Sequence, residues 1–247
     1  MRIPALLVML VGALGCAAPP TVDKDVPDNV YLDSEAGKAD NPIIPGSVAA
    51  VASSGCSTSV VLGLAQQIVD QMNCDSPGAL TEFDAGDGIT MEVEVLPYLN
   101  AGAAQALQAA AREVSGGINL TSGYRTVAQQ YLLYRWDVNG RCGITLAAKP
   151  GASNHEDGRG IDVSNYSAAR RALKAEGWSR PSPSDDPVHF DYLAAPDLSG
   201  ADVRAFQKLW NRNHPDDEIT VDGIYGTEVA SRLKSAPAAG FSLGPDC

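Results

Sequence analysis

Two stretches decide how this chain is read: Ser153-Asn-His155-Glu-Asp-Gly158-Arg-Gly160-Ile-Asp162 and Asp186-Pro-Val-His189-Phe-Asp191-Tyr192. The chain has only three histidines, and two of them sit here beside acids. Zinc in hydrolytic sites takes three nitrogen or oxygen ligands and leaves one position open. His155, Asp162 and His189 supply such a set. Their spacing is not the i, i+4 pattern of a helix-borne site. His155 is therefore expected in a loop, where Gly158 and Gly160 let the backbone turn tightly. Ile161-Asp162-Val163 and Val188 to Tyr192 both alternate as strands do. If the two strands are neighbours, Ile161, Val163, Val188 and Phe190 share the core face. Asp162 and His189 then converge on the opposite one. The plain alternative is that these are surface residues, or that Glu156 or Asp191 is the working acid.

The surrounding pattern mixes helices with short, dispersed strands, which predicts an α+β fold rather than a regular βαβ repeat. Val61, Leu64, Ile68 and Met72 recur at helical spacing. Ile89 to Val95 alternates, and Asn100 is placed to cap a helix over Ala101–Val114 that ends at Gly116 and Gly117. Ile118-Asn-Leu120 reads as a strand. Thr126 with Gln129 makes a capping-box pattern opening a helix through Trp136, and Ser167 is expected to cap another that stops at Gly177. From about Pro196 the character changes. Val203, Phe206 and Trp210 form a helical stripe, Val221 to Gly226 a turn, and Thr227 opens a last helix bearing Val229 and Leu233. His214, near a helix end, is expected to cap it. About 50 residues are few for independent stability, so packing on the main domain or a disulfide through Cys247 is expected to help.

The chain of 247 residues is 45% hydrophobic, enough for a sizeable core, and carries a net charge of −12. That charge leaves no basic footprint for DNA or RNA and argues against electrostatic binding to an anionic membrane. Arg2 precedes an uncharged run from Ile3 to Ala18, too short to span a bilayer but suited to a secretory signal. Ala13-Leu-Gly-Cys16 ends it as a bacterial lipoprotein signal ends. Residues 1–15 are thus expected to be removed and Cys16 to carry lipid. Residues 16–55, acidic and rich in proline, read as a linker. Cys56, Cys74, Cys142 and Cys247 remain, an even number in an oxidising compartment. A helix between Cys56 and Cys74 would hold them about 25 Å apart, so each is expected to pair with Cys142 or Cys247. The absence of C-x-x-C spacing weakens a zinc-thiolate reading.

The pattern Ser-x-His-x-x-Gly-x-x-x-Asp over residues 153–162, the acid three residues before His189, and Ser122-Gly-Tyr-Arg125-Thr together resemble the zinc D-alanyl-D-alanine carboxypeptidase (VanY-like) family. The resemblance spans about residues 95–195. It implies the fold shared with the signalling domain of hedgehog proteins, over residues 56–195. It also implies one zinc per chain on His155, Asp162 and His189. Asp186 matches the general base that acts on zinc-bound water and then protonates the departing amine. Arg125 matches the arginine that fixes and polarises the substrate, and Ser153 a serine lining the site. Two positions depart from the common pattern. Asp186 stands where many members have Glu, as in the related peptidoglycan endopeptidases, and Val188 replaces a frequent Trp. Phe206-Gln-x-x-Trp210 and Val221-Asp-Gly-Ile-Tyr-Gly226 resemble a peptidoglycan-binding-like domain, here a small all-α unit over residues 196–247.

The physical chemistry is consistent with that picture. Zinc lowers the pKa of bound water to about 7, a carboxylate accepts the proton, and a guanidinium pairs with a carboxylate or a developing oxyanion. The expectation is a monomeric, lipid-anchored peptidase of the bacterial cell envelope, periplasmic or extracellular, acting on peptidoglycan peptides. The alternatives are an endopeptidase of the same family and a non-catalytic zinc or wall-binding module. Cys16→Ser is expected to release the protein from the membrane fraction on fractionation; unchanged membrane association would contradict a lipid anchor.

Overall fold

A computed structural model describes residues 44–247. The leader, Cys16 and most of the linker lie outside the described residues. Helix α1 covers Val48–Ser54, with the Ser47 hydroxyl accepting from the Ala50 N–H. In sequence these residues read as the end of the linker. Seven residues are too few to show a helical period, and it is burial of Val48 and Ala52 that holds them. A 3₁₀ turn over Thr58–Val61 leads into α2, Leu62–Asp75. Short strands β1 (Thr81–Glu82), β2 (Ile89–Met91) and β3 (Tyr98–Leu99) follow, then α3 over Ala101–Glu113. Strand β4 (Ile118–Ser122), α4 (Val127–Val138), β5 (Gly160–Val163), α5 (Tyr166–Ala175) and β6 (His189–Asp191) complete the central part. Helices α6 (Ala201–Asn213) and α7 (Thr227–Ser235) close the chain. The arrangement is α+β, as the sequence predicts.

Two local expectations shift. Asn100 occupies the N-cap of α3 without capping it, because its side-chain amide instead donates to the Pro196 carbonyl. Helix α5 starts at Tyr166 with Asn165 as N-cap, so Ser167 lies inside its first turn. The Asn165 amide is spent on the Gly117 carbonyl and its oxygen on the Asn119 N–H, tying α5 to β4. The capping-box pair at α4 is present, with Gln129 Oε1 accepting from the Thr126 N–H.

The main sheet runs β2-β4-β5-β6; β2 and β4 are parallel and the other neighbours antiparallel. One face, bearing Ile118, Leu120, Ile161, Val163 and Phe190, is packed by α3 and α5 through Leu107, Ala110, Ala169 and Leu173. Complete burial of each such aliphatic or aromatic side chain is worth about 1.5–3 kcal/mol. The register of β5 against β6 follows from this face. Ile161 pairs with Phe190, which sets Asp162 directly opposite His189. A one-residue slip would put a carboxylate and an imidazole into the core.

The second core is helical, formed by α1, α2, α4, α6 and α7 around Leu64, Ile68, Leu132, Phe206, Leu209 and Leu233. The C-terminal helices thus share apolar contacts with the N-terminal ones, and α6 lies along α2. Disulfides join Cys56 to Cys142 and Cys74 to Cys247. This is cross-pairing, as expected, and it selects one of the two combinations left open. The His214 ring stacks on Trp210 and its Nδ1 donates to the Trp210 carbonyl at 3.1 Å, closing α6. No helix among the described residues is long and apolar enough to cross a membrane.

Non-reducing peptide mapping should recover Cys56–Cys142 and Cys74–Cys247; any Cys56–Cys74 link would contradict the helix between them. The bridges close loops of 86 and 173 residues. Each is therefore expected to contribute about 4–5 kcal/mol through the unfolded chain, and Cys247→Ser should lower the melting temperature by several degrees.

Candidate metal centre and active site

The open face of the sheet is where polar residues gather. Strand β4 bulges at Thr121, so that Leu120 pairs with Val163 while Ser122, not Thr121, faces Asp162. The extra residue re-aims the strand end, a common use of bulges beside functional sites. Ser122, Asp162 and His189 thus form a row across three strands. His155 joins from the loop before β5. Gly158 in that loop has φ +68°, a left-handed conformation that favours glycine. Gly160 has a different reason from the expected turn: a Cβ there would lie 3.0 Å from the His155 ring and 2.9 Å from its backbone nitrogen.

The three side chains close on one another. His155 Nε2 lies 3.3 Å from Asp162 Oδ1, His189 Nδ1 lies 3.1 Å from the same oxygen, and the two ring nitrogens are 3.1 Å apart. A tetrahedral zinc with nitrogen and oxygen ligands at about 2.0–2.1 Å needs ligand atoms about 3.3–3.4 Å apart. The triangle matches one face of such a tetrahedron.

The outward ring nitrogens are also fixed. His155 Nδ1 is 2.8 Å from the Gly123 carbonyl. A carbonyl only accepts, so Nδ1 carries the proton and Nε2 offers its lone pair to the triangle. His189 Nε2 donates to Asp191 Oδ1 at 2.9 Å, and Asn154 Nδ2 donates to the same oxygen at 2.9 Å. Asp191 therefore orients a candidate ligand from behind. In sequence it stands only as an alternative acid. Its signal was its place two residues beyond His189 on the same strand face.

Electrostatics favour a cation at the triangle. Burial works to raise the Asp162 carboxyl, but the two histidines and Arg125 hold it well below the usual carboxylate range. Burial works to lower His189, yet hydrogen bonds to Asp162 and Asp191 lift it to about 9. His155 is pushed down, first by burial and then by the Arg125 charge. In the metal-free protein His189 thus holds a proton where a metal would sit.

Beside the triangle opens a cavity of about 350 Å³, between the sheet and the helical core. Asp162, Arg125, Asp186, Gln129, Glu94 and Leu146 are among its lining residues. Arg125 Nε is buried without a hydrogen-bond partner among the described residues, and the charges of Asp162, Glu156 and Asp186 act on the guanidinium. Asp186 is partly exposed. Two other acids nearby are already engaged. Both Glu156 oxygens accept from the N–H groups of Gly151 and Ser153, and Asp185 Oδ2 accepts from the hydroxyls of Ser182 and Ser184. Ser153 does not line the cavity. It is buried in the ligand loop, where its hydroxyl accepts from the His155 N–H.

Comparison with known families bears out the resemblance. Residues 96–185 match the VanY family model, described as D-alanyl-D-alanine carboxypeptidase. The match includes Arg125, His155 and Asp162 and stops one residue before Asp186. The pairing of β5 with β6 carries His189 into the same site. No curated protein matches the chain.

One proton must leave His189 for metal to bind at Nδ1. Apparent zinc affinity is therefore expected to rise about tenfold per pH unit up to about pH 9 and then flatten. A competition titration with a chelator measures this; an affinity independent of pH between 7 and 9 would contradict the ligand assignment. Asp191→Asn should weaken zinc binding by about 10–100-fold without abolishing it.

Proposed function

We propose that this protein is a zinc-dependent peptidase of cell-wall stem peptides, and specifically a D-alanyl-D-alanine carboxypeptidase. The observation that carries the reading is the His155–Asp162–His189 triangle beside a cavity lined by Arg125 and Asp186. His155, Asp162 and His189 would hold one zinc ion. Bound there, zinc would supply a Lewis acid that polarises the scissile carbonyl and makes water acidic enough to react near neutral pH.

The remaining work falls to the chain's own groups. Arg125 pairs with the carboxylate that ends the substrate and sets the scissile amide over the site. Asp186 takes a proton from the attacking water as the C–O bond forms. It returns that proton to the amine nitrogen as the C–N bond breaks. Glu94 borders the same cavity, and Gln129 beside it is held by the Thr126 N–H and the Glu94 carbonyl. Ser153 serves by holding the loop that carries His155. The fold read for residues 56–195 is the hedgehog/D,D-peptidase one, with residues 196–247 as a peptidoglycan-binding-like unit. The chain would work as a monomer at the bacterial envelope, tethered through Cys16 and the linker of residues 16–55.

A second reading rests on Asp186, whose shorter side chain matches the related endopeptidases. An endopeptidase cuts within a cross-link, where no terminal carboxylate need meet Arg125. An unpartnered buried guanidinium nitrogen favours the carboxypeptidase. Incubation with defined muropeptides distinguishes them, through release of free D-alanine or cleavage of the cross-link. Both should stop with a chelator and return with zinc. Asp186→Asn should keep one zinc per chain and lose turnover by about 10²–10⁴-fold. A zinc-loaded wild-type protein inert on all these peptides would leave a binding module instead.

A further inference from the structure

The segment Tyr124–Val127 is pinned one backbone N–H at a time, and three of the four bonds reach a different part of the molecule. Tyr124 N–H donates to the Tyr98 carbonyl of β3. Arg125 N–H donates to the carbonyl of His155, a residue of the triangle. Thr126 N–H donates to Gln129 within α4. Val127 N–H, at the first position of α4, donates to Asp202 Oδ2 at 2.6 Å. That last N–H is one of the four that an α-helix leaves without a partner of its own. Here the partner comes from 75 residues away, in the first turn of α6.

Asp202 is fully buried, and its other oxygen accepts from the Val203 N–H at 2.7 Å. Both oxygens are thereby committed to backbone. The chain leading to it is tied down as well. The Asn100 amide donates to the Pro196 carbonyl, Arg159 pairs with Asp197 at 3.2 Å, and the Ser199 hydroxyl donates to Asp157. Asp157 and Arg159 belong to the loop that carries His155. The C-terminal segment therefore meets the active site on two sides of Arg125: at the helix start behind it and at the ligand loop beside it.

We infer that Asp202 is a positioning residue for Arg125, so that the C-terminal segment is a built-in part of the active site. The backbone of Arg125 is held between His155 on one side and the Asp202-anchored start of α4 on the other. This fixes where its guanidinium meets a substrate carboxylate. A modular reading of residues 196–247 makes them dispensable for chemistry; the buried bond from Asp202 to Val127 makes them necessary for it. The inference rests on the proposed role of Arg125 in carboxylate capture.

Val127→Pro and Asp202→Ala test it from the two ends of the bond. Proline is tolerated at the first position of a helix. Thr126 already has φ −86° and ψ 164°, the extended conformation favoured before proline. The substitution removes the donor, and because the proline Cδ takes the place of the amide hydrogen it also drives the Asp202 carboxylate out of its 2.6 Å contact at a fully buried position. Asp202→Ala removes the acceptor without changing any residue of α4, so it carries the test should Val127→Pro not fold. The probe is a substrate-length peptide ending in two D-alanines, its scissile amide replaced by a non-hydrolysable methylene-amine link, used as the free acid and as the C-terminal amide, with affinities read by calorimetry. Wild type is expected to prefer the acid by at least about tenfold. Both variants should keep one zinc per chain while that preference falls below about threefold, whereas general damage would weaken acid and amide alike. An undiminished preference in folded, zinc-loaded variants overturns the inference and spares the role of Arg125. A wild type that does not distinguish acid from amide refutes that role, and the inference with it.

Discussion

The pairing of Asp162 with His189 across β5 and β6 is the constraint from which the rest of the site follows. Strand geometry allows only two faces, and the apolar set Ile161, Val163 and Phe190 takes one of them. Burial of those side chains leaves the carboxylate and the imidazole no alternative to meeting on the other. The core thus determines where two of the three candidate ligands stand. The third, His155, is brought in by a loop whose close approach needs Gly160 and whose backbone reversal needs Gly158. Hydrophobic burial and metal-site geometry are here the same structural fact seen from two sides of one sheet.

The cavity beside the triangle exists because two cores abut. The sheet with α3 and α5 makes one, and α1, α2, α4, α6 and α7 make the other. The peptide from Ser122 to Val127 runs from the first core into the second. Along it lie the bulge that aims Ser122, the carbonyl of Gly123 that orients His155, and Arg125 itself. A segment tied into both cores is held more firmly than a surface loop, which suits the role proposed for Arg125. The Cys56–Cys142 bridge adds a wall, since Cys56 and the turn following Cys142 both border the cavity.

What the sequence made legible were features written in local periodicity. Alternation around Asp162 and His189 predicted their convergence, helical spacing predicted α2 and α6, and the rise of the intervening helix excluded a Cys56–Cys74 bridge. Features set by distant partners were not legible. Asn100 reads as a cap in sequence, but its amide is claimed by Pro196 across the fold, and the cap position of α5 falls to Asn165, whose amide bonds Gly117, rather than to Ser167. The bulge at Thr121 depends on the register of a neighbouring strand. Asp191 and Asp202 are ordinary acids in sequence, and only burial with specific partners gives them their roles. The choice between two cross-pairings of cysteines depended on how α6 and the C-terminus lie against α2.

Zinc-edge X-ray absorption on the purified protein probes the triangle most directly, because it reads the atoms around the metal without reference to any substrate. A metal held by His155, Asp162 and His189 should show about four nitrogen or oxygen neighbours at about 2.0–2.1 Å, two of them imidazoles by their outer-shell scattering, and no sulfur. A sulfur shell near about 2.3 Å would place the zinc on cysteines instead, and so contradict both the ligand set and the disulfides.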